Sequence, residues 1–368
     1  MRLRAEGRRR ARARARRRRA ATGRPHQVLD AARARRQGDV GAARPGQVRA
    51  LGTAPAQRVG QGRPAAGPAA RRADHARGRG RRDPGRCRVS PSEDLVRQLV
   101  EEIHNEHRLD RLPAYFPAGY AEHDPRVGDD LEGFWQEFLQ TFGDLKVSVD
   151  LTLTDHDQVM SFLTWRGHDA DGRDLELHTS ELFRVTDGAV AEHGAVVDYC
   201  ELGTFGFTPQ RDDFPSSLDL IGPHTPAEEA NVGVVLSAYD EVMTQHQLDR
   251  ADVHYSRDYV HHNDQMPAVP NGVEAFKEFF RGNFARYPDL SVAPDNVLAH
   301  GDKVMVFATW RGTNTGFARG RMPTGKKLFM RTSDMFRLSS GQVVEHWEVV
   351  DYSGLQRVGI PIRPYRHT

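Results

Sequence analysis

Thr179-Ser-Glu-Leu-Phe-Arg-Val185 and, after a turn, Glu192-His-Gly-Ala-Val-Val-Asp-Tyr199 form a pattern that this chain contains twice. Both stretches return 153 residues later, as Thr332-Ser-Asp-Met-Phe-Arg-Leu338 and Glu345-His-Trp-Glu-Val-Val-Asp-Tyr352. Upstream, Val159-Met-Ser-Phe-Leu-Thr-Trp-Arg-Gly167 returns as Val304-Met-Val-Phe-Ala-Thr-Trp-Arg-Gly312, at an offset of 145. Solenoid repeats are only about 20 to 50 residues long, so this period matches a whole small domain. The sequence therefore predicts a duplicated domain, and differences between the copies are informative.

The N-terminal segment differs sharply in composition from the rest of the chain. Residues 1–90 contain 27 arginines, no lysine and five acidic residues, a formal net charge of +22, whereas the rest of the chain carries −20. The segment lacks Phe, Trp, Tyr and Ile, so it cannot bury enough apolar surface to offset the entropy cost of ordering. We expect residues 1–89 to be disordered.

Two origins of this basic tract remain open. If it is translated, its arginine runs bind nucleic-acid phosphates without sequence preference, because no interleaved aromatic residues are present to stack on bases. Alternatively, the start is misassigned and translation begins at the codon for Val89, read as a GTG initiation codon. We expect a nucleic-acid partner only in the first case.

Cysteine usage and hydropathy indicate the compartment. Cys87 and Cys200 have neither metal-ligand nor redox spacing, and no run approaches the about 18 apolar residues of a membrane span. We expect a cytoplasmic protein with no membrane partner, no metal site and no cofactor.

Each copy predicts the same order of elements. Ser90-Pro-Ser-Glu93 and Thr225-Pro-Ala-Glu228 are helix starts of the capping-box type. A short segment and an aromatic helix follow, and the periodicity then becomes alternating, with Val147, Val149, Leu151 and Leu153 expected on one face of a strand. This pattern is α+β. We expect domains at 90–203 and 225–360, a linker at 204–224 and a tail at 361–368.

The last strand of the second copy is the main candidate for chemistry. Alternation in Val343–Asp351 puts Glu345, Trp347, Val349 and Asp351 on one face and His346, Glu348 and Val350 on the other. If the second face lines a cavity, burial would raise the pKa of Glu348 and make it a usable acid or base. The alternative is that these charged side chains face solvent.

The motifs Glu345-His-Trp-Glu348, Tyr287-Pro-Asp-Leu290 and Gly312–Lys326 resemble those of the SnoaL-like polyketide cyclase (ester cyclase) family, most clearly over 225–360 and more weakly over 90–203. The resemblance implies two tandem cone-shaped α+β barrels, the fold shared with ketosteroid isomerase, which commonly pair. It thus implies an internal pseudo-dimer. It also implies cofactor-independent aldol ring closure of a hydrophobic carbonyl compound by a carboxylate acid/base. The rival function is a non-catalytic ligand-binding protein, and a third possibility is an epoxide hydrolase of the same fold, which would need an Asp-Arg-Asp constellation around a water.

In that family the catalytic carboxylate follows His-Trp as an aspartate; here the position is Glu348, and in the first copy it is Ala195. We therefore expect activity in the second copy only. The predicted site residues are listed here by role: catalytic Glu348, His346 and His262; substrate-binding Arg331, Trp310, Asp351 and Trp347; and, in a first-copy pocket, His123 and His178.

Overall fold

A computed structural model describes residues 90–210, 220–263, 271–317 and 320–362. The expected disorder of residues 1–89 lies outside the described residues, as do 211–219 of the linker and 363–368 of the tail. The fold class is α+β as predicted, with two similar halves that each combine helices with a five-stranded sheet.

The first half begins with helix α1 (Pro91–Leu99), which continues as a π-helical segment (Val100–Asn105). Its other elements are α2 (Leu112–Tyr115), β1 (Ala121–His123), α3 (Leu131–Thr141), β2 (Lys146–Asp155), β3 (Gln158–His168), β4 (Asp174–Thr186), β5 (Ala189–Val197) and α4 (Tyr199–Leu202).

The second half repeats this order. Helix α5 (Pro226–Ala238) continues as a π-helical segment (Tyr239–Thr244). The remaining elements are α6 (Ala251–His254), β6 (Tyr255–His262), α7 (Val273–Arg286), β7 (Ser291–His300), β8 (Lys303–Thr313), β9 (Lys327–Ser339), β10 (Gln342–Val350) and α8 (Ser353–Arg357).

The two sheets have the same topology. Their strand orders are β1-β5-β4-β3-β2 and β6-β10-β9-β8-β7, with the first strand of each half parallel to the last and the other pairs antiparallel. Asp187-Gly188 and Ser340-Gly341 form the hairpin turns, and all four residues have positive φ, between 52° and 78°, as two-residue hairpin turns require.

Strand β2 departs from the predicted pattern. Its pairing with β3 shifts register between Val149 and Leu151, and a shift of one residue turns the following side chains to the other face. Val147 and Val149 therefore pack in the first half's own core, whereas Leu151 and Leu153 pack in a cluster with residues of the second half. The expectation that all four share a face was wrong.

Each half has its own apolar core between its sheet and helices. A third buried cluster joins the outer faces of the two sheets and contains Leu153, Met160, Phe162, Leu182 and Val196 from one half with Leu298, Met305, Phe307, Met335 and Val349 from the other. Among the described residues, no helix combines the length and apolarity needed to cross a membrane.

Candidate functional site

The second half encloses a cavity of about 290 Å³ between its sheet, the π-helical segment that follows α5, and helix α7. Aromatic and aliphatic side chains form most of its wall, among them Phe276, Phe279, Phe280, Tyr287, Trp310, Leu328 and Met330. A cavity of this size and composition suits a small hydrophobic molecule.

Polar side chains converge on this cavity from three strands. Alternation along β10 brings His346, Glu348 and Val350 to the cavity wall, and alternation along β9 does the same for Thr332 and Asp334. His261 reaches it from β6, which pairs in parallel with β10. An apolar cavity thus has one cluster of titratable groups on its sheet side.

Glu348 and His261 form the first pair in this cluster. Nε2 of His261 lies 3.1 Å from Oε1 of Glu348, and the side-chain amide of Asn263 donates a hydrogen bond to the same oxygen. Burial alone would raise the pKa of Glu348, but His261, His346 and the Asn263 amide outweigh it, so the pKa lies well below its usual range. The expected rise in this pKa was therefore wrong, and Glu348 is a carboxylate near neutral pH.

His261 responds in the opposite sense. Burial favours the neutral imidazole, but the Glu348 carboxylate prevails and raises the pKa of His261 above its ordinary value. The two shifts therefore favour the carboxylate form of Glu348 and the imidazolium form of His261 at the cavity wall.

His346 belongs to a second hydrogen-bonded chain. Its Nε2 lies 2.9 Å from Oδ1 of Asp334 and its Nδ1 lies 2.9 Å from the hydroxyl of Tyr259. Because a carboxylate only accepts, Nε2 of His346 is the donor to Asp334, while Nδ1 shares the second hydrogen bond with the Tyr259 hydroxyl. The ring is sandwiched between Phe336 and His261, with centroids 4.5 Å and 4.7 Å away. His346 is held in one orientation.

Asp334 is bound from the helical side by Tyr239. The Tyr239 hydroxyl donates to Oδ2 of Asp334 at 2.7 Å, and Oγ1 of Thr332 donates to the same oxygen at 2.6 Å. Tyr239 is the first residue of the π-helical segment, and such segments often occur at functional sites. Nε1 of Trp310 in turn donates to Thr332 at 3.0 Å, so the cavity wall and the cluster are connected.

His261, His346 and Glu348 also bring three potential metal-ligand atoms within 4.8 Å of one another. Both nitrogens of His346 are already hydrogen-bonded to Asp334 and Tyr259. An ion would have to displace one of these bonds, so the donor set fits an acid–base cluster better than a metal centre.

Of the predicted second-half residues, Glu348, His346 and Trp310 lie together at the cavity. His262 does not: it lies on the opposite face of β6, where its ring stacks on Trp347 at 4.8 Å. His261 takes the place that the sequence analysis gave to His262. Adjacent strand residues point to opposite faces, so an error of one position exchanges them.

Arg331 and Asp351 also lie away from the cavity. Arg331 alternates with the inward Met330 and Thr332 on β9, and its guanidinium lies over the ring of Phe329 at 5.5 Å. Oδ1 of Asp351 accepts hydrogen bonds from the backbone of Ser353 at 3.1 Å and of Tyr199, in the first half, at 3.2 Å. Together with Trp347, these residues do not contact the space predicted for a substrate.

The corresponding position in the first half has a different set of charges. Ala195 stands where the second half has Glu348. The buried guanidinium of Arg126 pairs with Asp124 at 2.5 Å and with Glu181, and it lies 4.6 Å from the ring centroid of Trp165. Opposing carboxylates thus hold a fixed cation in the interior of the first half.

His193 is the first-half counterpart of His346. Its Nδ1 lies 3.1 Å from Glu122 and its Nε2 lies 3.5 Å from Glu181. Burial would lower the pKa of His193, but these two carboxylates raise it to about 10. His104, by contrast, is buried next to Trp135 and Trp165, and burial lowers its pKa to about 3. The first half therefore contains a compensated ionic cluster.

Neither predicted first-half pocket residue lies at this cluster. Nε2 of His123 lies 3.3 Å from Glu192. His178 contacts Thr164 at 3.2 Å and lines a separate crevice of about 190 Å³ that His262 and Trp347 of the second half also line. These three candidates meet between the sheets, in a crevice that shares only Glu348 with the aromatic cavity.

The sequence analysis missed Asp334, Tyr239, Tyr259, His261 and Asn263. One signal was available for Asp334, because the repeated motif has an acidic residue at this position in both copies, with Glu181 in the first. A signal was also available for Tyr239, because Val232, Val235, Leu236 and Tyr239 fall on one face at helical spacing. Nothing in the local pattern indicated Tyr259 or Asn263.

The family model described as SnoaL-like polyketide cyclase matches residues 94–204 and 233–358. Among solved structures, a candidate SnoaL-like polyketide cyclase of Jannaschia sp. CCS1 is 26% identical, with a TM-score of 0.35, covering 38% of this chain and 99% of its own. TsrD of Streptomyces laurentii is 25% identical (TM-score 0.32; 38% and 100% covered). The candidate hydroxylase AclR of Streptomyces galilaeus is 23% identical (TM-score 0.33; 37% and 88% covered). No curated protein matches the chain.

Proposed function

Because the chain belongs to the SnoaL-like polyketide cyclase family through both of its halves, we propose that its second half is a cofactor-independent acid–base catalyst. The substrate class is a hydrophobic small molecule with two carbonyl groups, and the reaction is an intramolecular aldol-type ring closure or a related isomerisation. The observation that carries this proposal is the ionised Glu348 next to His261 at the wall of an aromatic cavity.

Glu348 is the base in this proposal: it is ionised near neutral pH, and because its pKa is lowered it is a weaker base than the sequence analysis expected, so it acts on an activated C–H group. Its carboxylate removes a proton from the carbon next to a carbonyl, and the electron pair of that C–H bond becomes an enolate. The imidazolium of His261 stabilises the enolate oxygen by hydrogen bonding. The enolate carbon then bonds to the second carbonyl carbon, and the alkoxide formed there takes back one proton, so that no atom is gained or lost.

His346 has a positioning role in this scheme. It is fixed by Asp334 and Tyr259, and its ring stacks on His261 with an angle of 2° between the planes. A misplacement of about 1 Å can cost roughly 100-fold in rate. The His346 ring, held by two hydrogen bonds and stacked on His261, therefore keeps His261 in position beside the base.

We further propose that the first half is a non-catalytic partner in an internal pseudo-dimer. Ala195 has no titrating group, and Arg126 occupies the interior with its two carboxylates. The apolar cluster shared by the two sheets supports this pairing. The linker also favours it, because it keeps the two halves at high effective concentration.

The rival function, a ligand carrier without chemistry, also draws on one observation. Glu348 already accepts from Asn263 and pairs with His261, an arrangement that would equally keep a buried charge satisfied. The two functions differ in whether a bound carbonyl compound exchanges its α-proton.

The experiment is to incubate the full chain with hydrophobic dicarbonyl compounds in D₂O, and to follow α-proton exchange and ring closure by NMR. Binding is followed separately through the tryptophan fluorescence, to which the cavity-wall residue Trp310 contributes. Catalysed exchange supports the enzyme, whereas saturable binding without exchange in any bound compound would favour the carrier.

A further inference from the structure

A second cluster of potential metal ligands lies outside the lining of the aromatic cavity, where the linker meets the turn between β2 and β3. It consists of Asp155, His156 and His224, whose ligand atoms all lie within 4.8 Å of one another. Nε2 of His224 is 2.9 Å and Nε2 of His156 is 3.8 Å from Oδ1 of Asp155. We propose that these three side chains form a binding site for a divalent transition metal of the zinc class.

The distances suit such an ion. Zn²⁺ binds imidazole nitrogen and carboxylate oxygen at about 2.0–2.2 Å in tetrahedral geometry, which separates neighbouring ligand atoms by roughly 3.3 Å. The two separations from the Asp155 oxygen fall on either side of this value. The carbonyl oxygen of Pro223 lies 3.3 Å from Nε2 of His156, so a fourth ligand atom is within reach.

Hydrogen bonds around the cluster orient the ligand atoms. Nδ1 of His224 lies 3.2 Å from the carbonyl oxygen of Gly222, and Oδ2 of Asp155 accepts from the backbone of Ala299 at 3.0 Å. Metal-binding histidines usually donate their second N–H to a carbonyl in this way. Both contacts of His224 are to acceptors, and an imidazolium or a metal ion at Nε2 would each satisfy them.

The backbone at His156 gives an independent reason to assign a function. His156 has φ of 54°, in the left-handed region, whereas the equivalent turn of the second half has Gly301 with φ of 60°. A non-glycine residue in this conformation costs about 1 kcal/mol or more. The first half thus has a strained histidine where its own duplicate has glycine. The turn itself does not require a histidine at this position.

The linker packs closely against the His156 ring at Gly222. A Cβ added to Gly222, which has φ of 81°, would lie 2.8 Å from the His156 ring. Asp155 and His224 are almost fully buried, with 2% and 4% of their side chains exposed, whereas 40% of the His156 side chain is exposed. The ion would therefore enter past His156 and fasten the linker to the first half.

The test uses the full chain without an affinity tag, stripped with a chelator and titrated with Zn²⁺ by calorimetry and thermal denaturation. We expect one equivalent of Zn²⁺ to be lost in His156→Gly, which gives the turn the glycine of its duplicate and so should fold without metal. At a hundredfold excess over the dissociation constant, wild type should gain about 5 °C in Tm. His156→Gly should lose this gain.

His300→Ala is the matched control, because His300 is an exposed histidine next to Gly301 in the equivalent turn; it should keep both the equivalent and the gain. Mg²⁺ and Ca²⁺, which prefer oxygen ligands, should give no shift in wild type. His224→Gln should reproduce the loss seen with His156→Gly. The proposal is overturned if wild type shows no zinc-dependent gain, or if His156→Gly and His224→Gln keep the same equivalent and the same gain as wild type.

Discussion

Nε2 of His261 lies 3.1 Å from Oε1 of Glu348, across the pairing of β6 with β10. The next residue, His262, lies on the other face of the same strand and stacks on Trp347. The two adjacent histidines therefore have different surroundings: His261 pairs with the proposed base, whereas His262 only packs on Trp347. Substituting each in turn tests the catalytic role of His261.

His261→Asn should lower the rate of α-proton exchange by about 100-fold or more, because it removes the cation that stabilises the enolate oxygen. His262→Asn should stay within about twofold of wild type. Because the pKa of His261 is raised, wild-type activity should fall as pH rises through that pKa. The variant His261→Asn should lose this alkaline limb, as rate–pH profiles will show. Equal losses in both variants would contradict the assignment.

Arg126→Met should destabilise the protein by about 3 to 5 kcal/mol, since it leaves Asp124 and Glu181 as buried carboxylates without their cation. Arg184→Met, at a half-buried pair with Glu192, should cost less than about 1 kcal/mol. Urea unfolding of both variants measures the difference. Similar costs would show that the Arg126 cluster is not a buried ionic core.

Stability should fall between pH 6.5 and about pH 10. The pKa of His193 is raised from 6.5 to about 10 in the folded protein, so the imidazolium contributes its full stabilisation below pH 6.5. That contribution is lost as pH rises through the folded pKa. Urea unfolding at pH 6.5, 8 and 9.5 measures the decline. His193→Gln should flatten it in part, because His261 titrates in the same direction, and an unchanged slope would contradict the role given to His193.

Phe307→Ala should cost about 3 to 5 kcal/mol, because Phe307 is fully buried in the cluster that both sheets share. If the halves form a pseudo-dimer, both should lose stability in a single transition. Val253→Ala, at a residue that is 44% exposed, should change little. Two separate transitions, with only the second half affected by Phe307→Ala, would argue against the pairing.

Much of the fold could be predicted from the sequence because repetition and alternation are properties of the chain itself. The duplicated motifs gave the two halves, and alternation along β10 put His346 and Glu348 on one face. The choice between His261 and His262 could not be made this way, since the face of β6 depends on its parallel pairing with β10, which shifts register between Val343 and Glu345.

Other features escaped prediction for related reasons. The irregularity at Asp150 redirects Leu151 and Leu153, and a register shift leaves no periodic signal in the sequence. Arg126 lies in a loop, so its position depends on Asp124 and Glu181 rather than on a pattern. The direction of the pKa shift of Glu348 depends on neighbours such as His261 and Asn263. Burial of Glu348 alone would predict the opposite direction.

The central claim is that the ionised Glu348 is the base. Glu348→Gln is nearly isosteric, so it should leave ligand affinity largely unchanged while α-proton exchange falls by about 10² to 10⁴. Glu345→Gln is the matched control, because Glu345 lies on the same strand and pairs outside the cavity with Arg337 at 2.5 Å; it should exchange at the wild-type rate. Exchange by Glu348→Gln at the wild-type rate, with a bound substrate, would contradict the account.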